Sequence, residues 1–215
     1  MQYSNNTLTE GSVGKGLWIV ALPIIISNFL SSILEVVDIY FIGKLGDVAI
    51  AGGAMSISIV LVLTTVIFGT VTATAAFVSR AYGSERFERI PVILAHSLYL
   101  ALAFSAVLMV IGIFWPQDLL LLLGAESEVA ETGARFLSPV LIGMFVFVTL
   151  MILTTVFQST GDSRTPMFVM IAVNLVNIVL NPTLIMGLGG LPAFGIAGSA
   201  YASLASRTIG VLLLI

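Results

Sequence analysis

Six long apolar runs, parted by short polar breaks, organise this chain: 17–42, 49–78, 91–115, 136–157, 166–188 and 196–215. Each is long enough to cross a hydrocarbon core, which takes about 20 largely apolar residues. The runs are unbroken rather than alternating, so they predict helices and not the short two-residue-period segments of a barrel. The breaks agree in chemistry. Lys44, Gly46 and Asp47 make a polar turn, and Arg80, Arg86 and Arg89 stand in a second break with Gly83. The third break, 116–135, reads as an acidic loop; 158–165 is polar, and 189–195 is rich in Gly and Pro. The predicted architecture is an all-α integral membrane bundle of six transmembrane helices over 17–215, preceded by a polar segment, 1–16.

Composition names the solvent. Hydrophobic residues are 59% of the chain and charged residues 9%, with a mean hydropathy of +1.15. A soluble domain carries roughly 25% charged residues, so lipid must face most of this surface. The net charge of −3 offers no basic field for nucleic acid. With no cysteine and one histidine, thiolate sites and multi-histidine metal sites are excluded. The first run is too long for the apolar core of a cleaved leader, so it reads as a retained anchor. The chain ends at Leu213, Leu214 and Ile215 inside or at the edge of an apolar run, which reads either as a fragment of a longer sequence, the favoured reading, or as a last helix ending flush with the membrane. No internal repeat is visible among the six segments.

Loop cations set the expected orientation. The N-terminal segment with the second and fourth breaks holds Lys15, Arg80, Arg86, Arg89 and Arg164, while the other breaks hold Lys44 and Arg135. Asp118, Glu126, Glu128 and Glu131 crowd the third break. A cytoplasmic N-terminus follows, in a multi-pass protein of the cell membrane.

Ionisable residues within the runs carry the chemistry, because each costs about 2.5–3.5 kcal/mol at a helix centre on insertion scales. Three qualify: Glu35, Asp38 and Arg207. Glu35 and Asp38 are three apart and so share a helical face. As a pair they would hold a proton or a cation such as sodium between them; alternatively they snorkel at the outer end of the helix. Arg207 needs a counter-charge, Asp38 or Glu35, or else it snorkels to the inner surface. Asn174, Asn177 and Asn181 form a polar stripe ending at Pro182, which leaves the carbonyl of Ile178 without its helical donor. Such a stripe either lines a cavity or joins helices by hydrogen bonds.

Weaker features remain. Pro23 should kink the first helix. Gly69 and Ala73 read as close-packing positions. The hydroxyls Thr64, Thr65, Thr70, Thr72 and Thr74 read as bonding mostly to their own helix, and His96 as a packed core residue. Phe145, Phe147 and Met151 read as core or lipid-facing. No nucleotide loop and no catalytic constellation is present, which argues against an ATP-driven pump and against an enzyme.

Four stretches carry a family resemblance. They are Asp38 with the turn Gly43-Lys44-Leu45-Gly46; Gly161-Asp162-Ser163-Arg164-Thr165-Pro166-Met167; Asn177-Ile178-Val179-Leu180-Asn181-Pro182; and the run from Gly195 to Ser203. In this order and register the chain resembles the multidrug and toxic compound extrusion (MATE) family. The resemblance implies a twelve-helix transporter in two lobes, this chain supplying the first, with a C-terminal lobe or a second copy completing it. It implies alternating access and antiport: small cationic or amphipathic compounds leave as protons or sodium ions enter, without a cofactor. Asp38 matches the family's coupling aspartate, with Glu35 as a second carboxylate in support. Asn177 and Asn181 match its fifth-helix pair, although Asn181 stands where many members have aspartate. Asn174 and Arg207 complete the expected cavity. A lipid-linked oligosaccharide flippase of the same superfamily is disfavoured by the single intramembrane cation. An inactive or partner half-transporter is the other alternative.

Overall fold

The computed structural model describes residues 13–215, so 1–12 of the expected N-terminal segment lie outside the described residues, while 13–16 already belong to the first helix. Eight α-helices follow in order: α1 Val13–Gly43, α2 Asp47–Gly83, α3 Ile90–Phe114, α4 Pro116–Leu122, α5 Ser127–Ile142, α6 Met144–Ser159, α7 Arg164–Met186 and α8 Ile196–Leu214. Short 3-10 turns at Phe87–Arg89 and Leu188–Gly190 complete the path. Five of these helices are each long and apolar enough to span a membrane, and α5 with α6 forms a sixth span bent by 50°. At 37 residues α2 is the longest helix described.

The third break departs from expectation. Residues 116–135 are not an acidic loop but α4 and the first half of α5. Pro116 sits in the first turn of α4, where its missing N–H costs nothing. Leu120, Ala130 and Phe136 point inward while Glu131 and Arg135 pair on the outside at 2.8 Å. The charged face of this amphipathic segment masked its helicity in a search for uniformly apolar runs.

The bend lies at Gly143, between Pro139 and Val146. Pro139 has no N–H to continue the ladder, and Gly143 leaves a notch filled by the side chain of Leu204 from α8. A Cβ on Gly143 would lie 2.6 Å from Leu204 Cδ1.

Two groups of helices meet along α8. One is α1 with α7 and α8; the other is α2 and α3 with α5 and α6. Close crossings rest on glycines other than those expected. A Cβ on Gly52 of α2 would stand 2.8 Å from the backbone nitrogen of Gly133 in α5, and one on Gly198 would stand 2.6 Å from the carbonyl of Leu184. Ser56 joins the first crossing by donating to the carbonyls of Gly52 at 2.7 Å and Gly133 at 3.1 Å. Gly69 meets nothing within 4 Å, and Ala73 is exposed, so the packing role expected of them is corrected: they lie on the outward face of α2. His96 is likewise exposed rather than packed in the core, its Nδ1 bonding the carbonyl of Val92 at 2.7 Å. Thr64 and Thr65 bond back to their own helix as expected, and Thr74 adds a 2.7 Å bond to Ser97 of α3.

Candidate functional site

Asp38 is buried at the junction of α1, α7 and α8. Its position follows from helical register: it lies on the α1 face that also buries Leu34 and Ile42, so α7 and α8 close over it. Asn181 Nδ2 donates to Asp38 Oδ1 at 2.6 Å, and Asn177 Nδ2 reaches the same oxygen at 3.4 Å. The hydroxyl of Ser203 donates to Oδ2 at 2.6 Å. The donors are tied to one another, Asn181 Nδ2 to Asn177 Oδ1 at 2.8 Å and Asn177 Nδ2 to Ser203 Oγ at 3.1 Å. Asn177 and Asn181 are fully buried, and Asp38 is 8% exposed. Water cannot supply these bonds at that depth, so the side chains must.

The two oxygens of Asp38 differ. Oδ1 faces amide nitrogens, which only donate; Oδ2 faces a hydroxyl, which donates or accepts. Ser203 is thus the partner of Asp38 able to switch between giving and accepting a hydrogen bond. Asn181 Oδ1 is buried with no hydrogen-bond partner among the described residues, an acceptor available beside the carboxylate.

Ser203 was not singled out from the sequence, where it sits among small residues. The signal is there nonetheless: Ser199, Ser203 and Ser206 recur at steps of four and three on α8, and all three are buried. Asn174 shares the face of Asn177 and Asn181 but not their network. Its Nδ2 donates to the carbonyl of Met170 at 2.9 Å, and its Oδ1 has no partner among the described residues.

Glu35 and Arg207 lie elsewhere. Both line a cleft of about 210 Å³ between α1, α6, α7 and α8, together with Asn28, Ser31, Thr154 and Gln158. Glu35 is exposed to this cleft while Asp38, one turn on, is buried, so the two carboxylates occupy different surroundings on neighbouring turns. Arg207 forms no ion pair with either carboxylate among the described residues. Its guanidinium instead rests over the ring of Phe147, 4.7 Å from the centroid. Phe147 and Met151 thereby become cleft residues. Among the described residues no cluster of three His, Asp or Glu side chains could hold a metal.

Comparison with known proteins gives the family of the chain. The MatE family model matches residues 23–183, most of the chain, including the α1 and α7 residues of the Asp38 cluster. The chain belongs to the MatE family. Among curated relatives of this family, a probable multidrug resistance protein, YoeA of Bacillus subtilis, is 30% identical over 96% of this chain and 45% of its own length. A probable multidrug resistance protein NorM of Bacillus cereus is 30% identical over 89% of this chain and 42% of its own length. An FAD transporter of Shewanella oneidensis is 27% identical over 96% and 46%. The chain thus spans less than half the length of these MatE relatives. A MOP superfamily transporter from Pyrococcus furiosus shares the fold with a TM-score of 0.86 at 23% identity, over all of this chain and 47% of that one. A MATE structure in the bent conformation matches equally well, at 0.86 over 99% and 47%. The match to one half of these structures makes the six-span bundle a single MatE lobe.

Proposed function

We propose that this lobe belongs to a secondary active antiporter of the cell membrane, which exports cationic or amphipathic compounds in exchange for protons or sodium ions. Its N-terminus is cytoplasmic, and a second lobe or a second copy of this one completes the translocation path. The observation that carries the reading is the Asp38 cluster: a carboxylate at membrane depth, held by hydrogen bonds from Asn177, Asn181 and Ser203 and, among the described residues, in no ion pair within 4 Å. A bare intramembrane carboxylate is costly, and uptake of a proton or a sodium ion removes that cost. Loading of the ion therefore changes the bonds joining α1 to α7 and α8. Antiport follows if the cleft opens to substrate in only one of the two loading states.

The test is efflux of a fluorescent organic cation from everted vesicles carrying the complete gene product, with proton and sodium gradients imposed separately. Gradient-driven transport that Asp38→Asn abolishes, in folded protein, is the expected outcome and identifies the ion. Wild-type transport untouched by that substitution would move coupling away from Asp38 and sink the proposal.

A further inference from the structure

Two neighbouring residues of α8 serve the two halves of the bundle. Ser203 donates to Asp38 Oδ2 at 2.6 Å. Leu204 points about 100° away around the helix, into the notch at Gly143. The notch is narrow: a Cβ on Gly143 would stand 2.6 Å and 3.1 Å from the two terminal carbons of Leu204, and 3.2 Å from the carbonyl of Pro139. It lies where the span made of α5 and α6 bends by 50°. One turn further along both helices the contact repeats, the Arg207 guanidinium resting over Phe147 at 4.7 Å from the ring centroid. Leu204 and Arg207 are three apart on α8, and Gly143 and Phe147 four apart on the facing helix, so both contacts share one seam. A rotation or slide of α8 would lift Leu204 out of the bend and move Ser203 against Asp38 in the same step.

We propose that Leu204 is the positioning residue that couples Asp38 to the bend. Seated at Gly143, it sets the rotation of α8 that presents Ser203 to the carboxylate. Ion loading at Asp38 alters that bond, shifts α8, and changes the angle between α5 and α6. This deepens the transporter reading and rests on it for the ion, but not for the packing. Three features suit the role. The bend already has the backbone freedom to change, because Pro139 supplies no N–H and Gly143 no side chain. The contact is a side chain seated in a socket, and packed contacts of this kind switch between discrete arrangements rather than deforming smoothly. The coupling is also reciprocal, as linkage between two sites requires: whatever unseats Leu204 must disturb the bonds at Asp38.

Spin labels on Glu131→Cys and Ser159→Cys report the bend, one on α5 and one at the end of α6. The chain has no cysteine of its own, and any in the rest of the complete gene product is replaced by serine. Label distances are measured by double electron–electron resonance in nanodiscs, with pH and sodium varied separately, and efflux is followed in the same variants. Ion loading should shift the distance by about 2 Å or more, and Asp38→Asn should abolish the shift. Gly143→Ala fills the socket and Leu204→Ala empties it; each should lose the shift and gradient-driven efflux. Leu204→Val in the Gly143→Ala background conserves volume across the contact and should restore both. Thermal unfolding identifies the variants that fold; if Gly143→Ala does not, Leu204→Ala decides. A contact that only packs would lower thermal stability and leave the ion response in place. That result in folded Leu204→Ala, a wild-type distance that ignores both ions, or a shift that survives Asp38→Asn would overturn the inference. A shift that depends on Leu204 without gradient-driven transport would instead sink the antiporter reading and leave the coupling standing, and Asp38-dependent efflux with a fixed bend would do the reverse.

Discussion

The amide of Asn181 stands 2.6 Å from Asp38 Oδ1 and donates to it, joining α7 to α1 through a bond that spans 143 positions of sequence. An aspartate at position 181 would set two carboxylates at that distance. The asparagine fixes the network with one acidic group and one permanent donor.

Asn181→Leu should therefore strip Oδ1 of its nearest donor and leave a buried carboxylate half satisfied. The expected cost is about 1.5–3 kcal/mol, the range for a bond to a charged group. Thermal unfolding in detergent should register the loss, and ion-driven efflux should fall with it.

Ser203→Ala removes the one partner of Asp38 that can either give or take a proton. Ser203→Thr keeps the hydroxyl. If Oδ2 is where a proton is accommodated, the alanine variant should lose gradient-driven efflux, the threonine variant should keep most of it, and both should retain ligand binding in the cleft. Equal efflux from the two variants would show that the hydroxyl plays no part in loading.

The α2–α5 crossing offers a packing test. A Cβ on Gly52 meets backbone of Gly133, not the end of a movable side chain, so Gly52→Ala must push the helices apart, at about 1–3 kcal/mol. Gly69→Ala on the same helix has open space and should leave the melting temperature unchanged or raised, since alanine is the better helix former by about 1 kcal/mol.

Gly187 closes α7 at φ 75°, and a Cβ there would also fall 2.9 Å from Ala193 N and from Leu191 O. Strain and collision act together. Gly187→Ala should cost about 1–3 kcal/mol, read as lower thermal stability with the Asp38 network displaced at its α7 end.

The bundle and half of the site were legible in the chain because lipid imposes a uniform demand: long apolar runs, and a reason for every polar group within them. Asp38, Asn177 and Asn181 violate that demand and stood out. Ser203 does not, since a serine can satisfy itself by bonding its own helix, as Ser27, Ser31 and Ser32 do here. Only the approach of α8 to α1 reveals its second role. The pairing of Glu35 with Asp38 illustrates the converse. Three-residue spacing puts both on one side of α1 but does not say which will be covered by α7 and α8. The bend at Gly143 was hidden as well: an apolar window averages over a break that one glycine and one proline create. Resemblance to a family supplied the expectation of a coupling role for Asp38, which residue chemistry alone left shared with Glu35.

The length of α2 has a consequence outside the bundle. Thirty-seven residues at about 1.5 Å each come to roughly 55 Å, against about 30 Å of hydrocarbon. Even when tilted, such a helix carries its end well clear of the lipid tails. Arg80, Arg86 and Arg89, all exposed around that end, thus project into water as a set of trypsin-sensitive bonds. Digestion of sealed right-side-out and inverted vesicles should cut this tip from one side only, which makes the longest helix its own marker of which way the lobe faces.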